Sequence, residues 1–302
     1  MKNIYFLALI LCLSIIGNQA KSQAPYNNVF GTKSYVEYVE GNMPFLISIP
    51  HDGTLRPEDI SERTCTNCSK NQDIYTIEIG KAIREHIFKL TGLYPYLVIS
   101  HLHRTKLDPN RSIKEAAGED VQAQIAWTEF HHFIDSAINE VEQKYGKGLY
   151  IDLHGHRHKV ERVELGYLLT GEELRLPDDF LNDESFYQYS SIKNLVSNNN
   201  KSYSYTQLLR GPESFGTMLE NRGFTAVPSL NIPFPKEDEP IFSGGFNTEK
   251  HSSASGGTVD GIQVEIGMEL RKDPVKRFEF AETLSEVVLK YLKTYYFENI
   301  TN

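Results

Sequence analysis

Cysteine is scarce, with three in 302 residues. Cys65 and Cys68 form the one C-x-x-C pair, and without a second pair a four-cysteine zinc site is excluded. Beyond the first 20 or so residues no run of about 18 apolar residues occurs, so no membrane span is expected once that segment is removed. Basic side chains are in deficit: 31 Lys and Arg against 40 Asp and Glu, a formal net charge of -9. Nonspecific nucleic-acid binding, which draws on Lys and Arg against phosphates, is excluded as a main function, whereas a local basic pocket for a small anion is not. The chain lacks internal repeats, low-complexity linkers and breaks in composition, so a single domain over residues 25–302 is expected. Hydrophobic residues make up 40% and charged residues 24%, which excludes a disordered chain, a collagen and a disulfide-dense mini-fold.

The N-terminus reads as a leader. Lys2 precedes an uncharged apolar run over 5–16, and small residues at 18–20 and 22–24 offer cleavage sites near residue 20 or 24. This is the pattern of a secretory signal peptide, so a secreted or periplasmic protein is expected, with residues 1–24 removed. In such an oxidising compartment Cys65 and Cys68 are expected to staple a loop as a disulfide.

Short apolar runs alternate with helical periodicity along the rest of the chain. Strands are predicted at 45–49, 96–100, 149–153, 162–170, 225–230 and 261–266. Helices are predicted at 74–90, 121–145, 184–198, part of 205–221, and 275–296. The alternation implies an α/β architecture with helices on both faces of a sheet. In such sheets the chemistry gathers beyond strand ends, and four clusters lie there.

His51 follows the first predicted strand. Asp152, His154 and His156 alternate as the third one ends, so an extended backbone puts all three on one side, and imidazole with carboxylate suits a metal such as zinc. Arg104, Asp108, Asn110 and Arg111 follow the second strand. A guanidinium can grip a carboxylate bidentately, an Asn amide adds a donor, and Asp108 can hold one of the arginines. Glu265 lies inside the apolar run 262–266, either paired with an arginine such as Arg271 or kept for proton transfer. Asn247 and His251 follow a Gly244–Gly245 pair.

Taken in order, the stretches 48–53, 104–111, 151–154, 244–251 and 263–271 resemble the N-formylglutamate amidohydrolase family, which is itself similar to the zinc carboxypeptidases and aspartoacylases in fold and site. The resemblance implies a three-layer α/β/α sandwich with a mixed sheet and one zinc ion per chain at the strand ends. It makes His51 and His154 zinc ligands. The carboxypeptidases carry a glutamate three residues after the first histidine, where this chain has Thr54, so the carboxylate ligand must come from elsewhere: Asp73 first, with Glu78 and Asp52 behind it. Glu265 becomes the proton-transfer group and Arg104 the partner of the oxyanion. Asn110 and Arg111 grip the substrate carboxylate, Asp152 orients a ligand, and His251 is placed with the substrate-binding residues, with closure of the site open to it or to Asn247. The implied activity is a secreted zinc-dependent amidohydrolase acting on an N-acyl amino acid or a related small carboxylate-bearing amide. The alternatives are a metallocarboxypeptidase-like peptidase, a barrel amidohydrolase built on Asp152, His154 and His156, and a non-catalytic protein that captures an anionic ligand on the same scaffold.

Overall fold

The computed structural model describes residues 27–64 and 68–299. The leader and Cys65 lie outside the described residues, while Cys68 is disulfide-bonded.

Eight strands form one mixed sheet: β1 Asn28–Phe30, β2 Val36–Val39, β3 Phe45–Ile49, β4 Tyr96–Ser100, β5 Gly148–Gly155, β6 Val163–Gly166, β7 Ala226–Val227 and β8 Val259–Ile266, in the order β1-β2-β4-β3-β5-β8-β6-β7. The four central strands, β4, β3, β5 and β8, are parallel, and β2 and β6 join them antiparallel. Strands covered on both faces need apolar side chains pointing both ways, which is why these segments read as short continuous hydrophobic runs.

Three long helices cover the sheet: α1 Thr76–Thr91, α2 Val121–Tyr145 and α3 Pro274–Tyr295. Phe45, Ile47, Ile49, Leu149, Ile151 and Leu153 pack into one core with Ile83 of α1 and Leu284 and Val288 of α3. Leu46, Tyr96, Val98 and Tyr150 pack into the other with Ala126, Phe130 and Ile134 of α2. Alternate residues of each strand thus serve opposite layers, and each large side chain so buried contributes about 1.5–3 kcal/mol. The result is the α/β/α sandwich with a mixed sheet that the family resemblance implies.

Helix ends follow local chemistry. Asp120 caps α2 by accepting from the Gln122 and Ala123 amides, both at 3.0 Å. Asp273 caps α3 in the same way ahead of Pro274.

Several predicted elements come out shorter. The strand over 162–170 stops at Gly166, because Leu168 takes a left-handed backbone (φ 66°) that a strand cannot carry. The strand over 225–230 shrinks to β7, since Pro228 has no N–H for a ladder. The helix over 184–198 is two short pieces, Glu184–Tyr187 and Lys193–Asn198, and Gly211 with Pro212 splits the next into Tyr205–Arg210 and Phe215–Glu220. The antiparallel edge β1–β2 had no counterpart among the predicted elements.

From β3 the chain goes to β4 on one side and later to β5 on the other. Diverging connections open a crevice beyond the carboxyl ends of β3 and β5, the usual ligand position in such sheets. Arg271 braces that crevice from below. It is fully buried and donates to three carbonyls: Nε to Ile266 (3.0 Å), Nη1 to Ile74 (2.6 Å) and Nη2 to His156 (3.1 Å). A Cβ on Gly155 would lie 2.2 Å from the guanidinium carbon, so the end of β5 is glycine where Arg271 passes. Of the two readings of Glu265, a hydrogen-bonded pairing with Arg271 is not formed: the guanidinium donates instead to the carbonyls of Ile266, Ile74 and His156.

Candidate metal centre and substrate cavity

His51 leaves β3, His154 ends β5, and Asp73 lies just before α1. Three atoms meet there. Nδ1 of His51 is 3.1 Å from Nδ1 of His154, and Oδ2 of Asp73 is 3.1 Å from the first and 3.2 Å from the second.

The other ring nitrogens show what this triangle is. His51 Nε2 faces Asp108 Oδ1 at 2.7 Å, and His154 Nε2 faces Asp152 Oδ2 at 2.6 Å. An ionised carboxylate only accepts, so each Nε2 carries a proton, and in the neutral ring each Nδ1 presents its lone pair. In that state two lone pairs and a carboxylate oxygen converge with no donor among them, an arrangement relieved by a cation, either a proton that His154 shares with Asp73 or a metal ion between the three. Ligands about 2.0–2.1 Å from a tetrahedral centre stand about 3.3 Å apart, close to the spacing here. The donor set N, N, O fits a divalent transition metal, and all three residues are buried.

The carboxylates behind the histidines are held ionised. Burial opposes charge on Asp108, but contacts with His51, Arg104 and Arg63 overcome it and keep its carboxyl well below the usual range. Arg104 Nε donates to its Oδ2 at 3.0 Å and the Asn110 amide donates to its Oδ1 at 3.1 Å. Asp152 is also lowered against burial, by His154, the Ser48 hydroxyl and the Asn247 amide. Ser48 and Asp152 are direct neighbours on β3 and β5, so the sheet register builds this contact.

Such carboxylate–histidine pairs fix the ring tautomer that a metal requires. Asp152→Asn is therefore expected to weaken metal binding about 10- to 100-fold, read by competition with a chelator. Unchanged affinity would remove the orienting role of Asp152.

A cavity of 280 Å³ opens above the triangle, bordered by Arg104, Asn110, Arg111, Gln263 and Glu265. Glu265 is the cross-strand neighbour of His154 on β8. Among the described residues no hydrogen bond reaches its carboxylate. Burial pushes that carboxyl up to about 8, with His154 opposing and Asp73 and Glu164 adding to the shift. Arg104 Nη1 is 3.8 Å from Asp73 Oδ1. Asn110 Oδ1 accepts from the Asn247 backbone amide at 2.8 Å, and its Nδ2 borders the cavity 3.4 Å from His154 Nε2. Arg111 is exposed at the mouth and donates from Nη1 to the Asn110 carbonyl.

Other expectations change. His251 does not border the cavity. It is buried behind it, 2.6 Å from His131 Nδ1 and 2.9 Å from Asp135, because the short helix Phe246–His251 turns it towards α2. Of the alternative carboxylates, Glu78 pairs with Arg277 at 2.8 Å, and Asp52 accepts from the Ile77 amide at the start of α1, so neither joins the triangle. A centre built on Asp152, His154 and His156 is not formed. His156 Nε2 donates to the Arg162 carbonyl and its Nδ1 accepts from the His158 amide. That also spends His156 in the cluster it forms with His158 and Glu164.

Arg63 had no sequence signal. It is buried and donates to the carbonyls of Ser69, Arg104 and Glu115, tying together the loops around the site. His158, stacked on Phe242 with centroids 4.8 Å apart, forms a further wall.

No family model and no curated protein matches this sequence. Solved structures do. N-formylglutamate amidohydrolase from Ralstonia eutropha JMP134 matches with a TM-score of 0.50 at 13% identity, over 89% of this chain and 97% of the other. A gene product of Agrobacterium tumefaciens matches with a TM-score of 0.52 at 14% identity, over 88% and 98%. The likeness is one of fold. It spans nearly the full length of both neighbours, and the family resemblance read from the sequence has its counterpart in the three-dimensional arrangement.

Proposed function

We propose that this protein is a metal-dependent hydrolase that cleaves the C–N bond of an N-acyl amino acid or a related carboxylate-bearing amide, with zinc as the metal. The observation that supports this reading most is the convergence of two imidazole nitrogens and a carboxylate oxygen beneath a cavity bordered by Glu265 and by three arginines, Arg104, Arg111 and Arg157.

A divalent cation bound there supplies Lewis acidity, polarising the acyl carbonyl and making water acidic enough to ionise near neutral pH. The chain's own groups do the rest. Glu265 takes the proton of the attacking water, whose oxygen bonds to the acyl carbon. Burial makes this carboxylate a stronger base than an exposed one. As the C–N bond breaks, Glu265 returns the proton to the leaving nitrogen, and the products are a carboxylic acid and an amine. Arg104, fixed by Asp108, faces the charge that develops on the carbonyl oxygen. The Asn110 amide and Arg111 orient the substrate carboxylate.

Export is part of the proposal and rests on the leader read in the sequence. Among the described residues no helix is long and apolar enough to cross a membrane.

The test is turnover of N-formyl and N-acetyl amino acids before and after chelation. Loss of roughly 100-fold or more on stripping, regained with zinc, is expected. A metal-loaded protein that hydrolyses none of them would overturn the proposal.

A further inference from the structure

The inner cavity does not close at Arg111. Arg111, Gly244 and Gly245 also border a second, open groove of 600 Å³, against 280 Å³ for the inner space. The Arg111 side chain and the Gly244–Gly245 backbone form the sill between the two. A Cβ on Gly245 would lie 2.4 Å from the Asn110 amide nitrogen, and Gly244 holds φ +120°, so both positions exclude other residues on steric grounds. The sill backbone thus packs directly against Asn110 and Leu168, and borders both spaces.

The groove beyond is furnished for a ligand. Tyr189 is 71% exposed at its side, an isolated aromatic surface that water solvates poorly. Phe246 stands half-buried in the wall. Among the described residues the Gly245 N–H has no acceptor, and Gly245 borders both spaces. A guanidinium, a free backbone donor and then an aromatic platform form a sequence suited to a peptide: a carbonyl to accept, followed by a side chain to pack.

We infer that the physiological substrate is an N-acylated peptide, with its first residue in the inner cavity and its second on Tyr189. The inference rests on the proposed hydrolase activity and extends it. The bond cleaved is the same, water adds to the acyl carbon, and the leaving amine is that of the peptide. At Arg111 the first residue's carbonyl replaces the carboxylate of a single amino acid, still as an acceptor.

The experiment compares kcat/KM for an N-formyl amino acid with that for the same compound extended by one residue at its carboxyl end. The extended compound is expected to be about 10-fold better, the effect of one well-packed contact. Tyr189→Ala should bring the ratio towards one, and Tyr189→Phe should keep it. Turnover of the short compound with no gain from the added residue, or a gain that Tyr189→Ala leaves intact, overturns the peptide inference alone. Turnover of neither overturns the hydrolase reading and this inference with it.

Discussion

Replacing either His51 or His154 with alanine is expected to abolish stoichiometric metal binding and to lower turnover by on the order of 10³-fold or more. The two substitutions should differ in their effect on stability. Removing a ligand from a three-residue centre leaves too few donors for tight binding, whichever histidine is lost. What remains behind each ring is not equivalent. Asp108 keeps Arg104 at 3.0 Å and Arg63 at 3.6 Å when His51 is gone, so its charge stays compensated. Asp152, fully buried, keeps the Ser48 and Tyr150 hydroxyls and the Asn247 amide when His154 is gone, but among the described residues no cation pairs with it. An uncompensated buried charge typically costs about 3–5 kcal/mol. His154→Ala should therefore unfold at distinctly lower temperature than His51→Ala at neutral pH, while both lose the metal. Metal analysis and thermal unfolding of the two purified variants check this. Retention of one metal per chain in His51→Ala would remove that residue from the centre.

The contrast between the two histidines shows what could be read from sequence. Parallel strands covered on both faces must be apolar throughout, so β3, β4, β5 and β8 stand out as runs, and the residues just past their ends are where diverging connections open a crevice. His51 and His154 were visible for that reason, and Glu265 because a carboxylate stands out inside an apolar run. Asp73 was not visible in the same way, because no strand carries it. It reaches the centre on a loop before α1, and the loop is held by a carbonyl contact of Arg271 nearly two hundred residues away. His251 misled for the opposite reason. It stood near the right glycines, but one and a half turns of helix rotate it out of the cavity and onto His131. The protonated side of each imidazole, which defines the centre chemically, depends on Asp108 and Asp152. Proximity in sequence flags the second, two residues from His154, but the contact of Asp108 with His51 exists only once β3 and β4 pair. An interior arginine such as Arg63 looks like surface charge in the sequence, because its hydrogen-bond acceptors are carbonyls, which no residue pattern marks.

Glu265→Gln should cost roughly 10³-fold in kcat while leaving the metal in place, within the 10²–10⁴ that general acid–base groups contribute. The substitution keeps the shape of the side chain and removes its ability to take a proton. Stability should not fall. Glu265 and Glu164 are direct cross-strand neighbours on β8 and β6, both buried. Glu164 accepts from the Phe242 amide at 3.0 Å and stands 2.9 Å from His158 Nδ1, whereas no described hydrogen bond serves Glu265. A neutral amide beside Glu164 relieves like-charge repulsion and an unpaired burial, so the variant should melt at or above the temperature of the wild type. The same change removes the negative charge that Glu265 carries when it is ionised, so an anionic substrate should bind at least as tightly, most visibly as the pH rises towards 8. Metal content, melting temperature, kcat and ligand affinity therefore move in different directions for one stated reason. A proton-transfer role predicts lost kcat with intact metal and undiminished binding. A purely structural role predicts a lower melting temperature with activity falling in proportion to unfolded protein. Full activity in Glu265→Gln would show that another group takes the water's proton. In that case the raised proton affinity of Glu265 would reflect only its burial between Asp73 and Glu164.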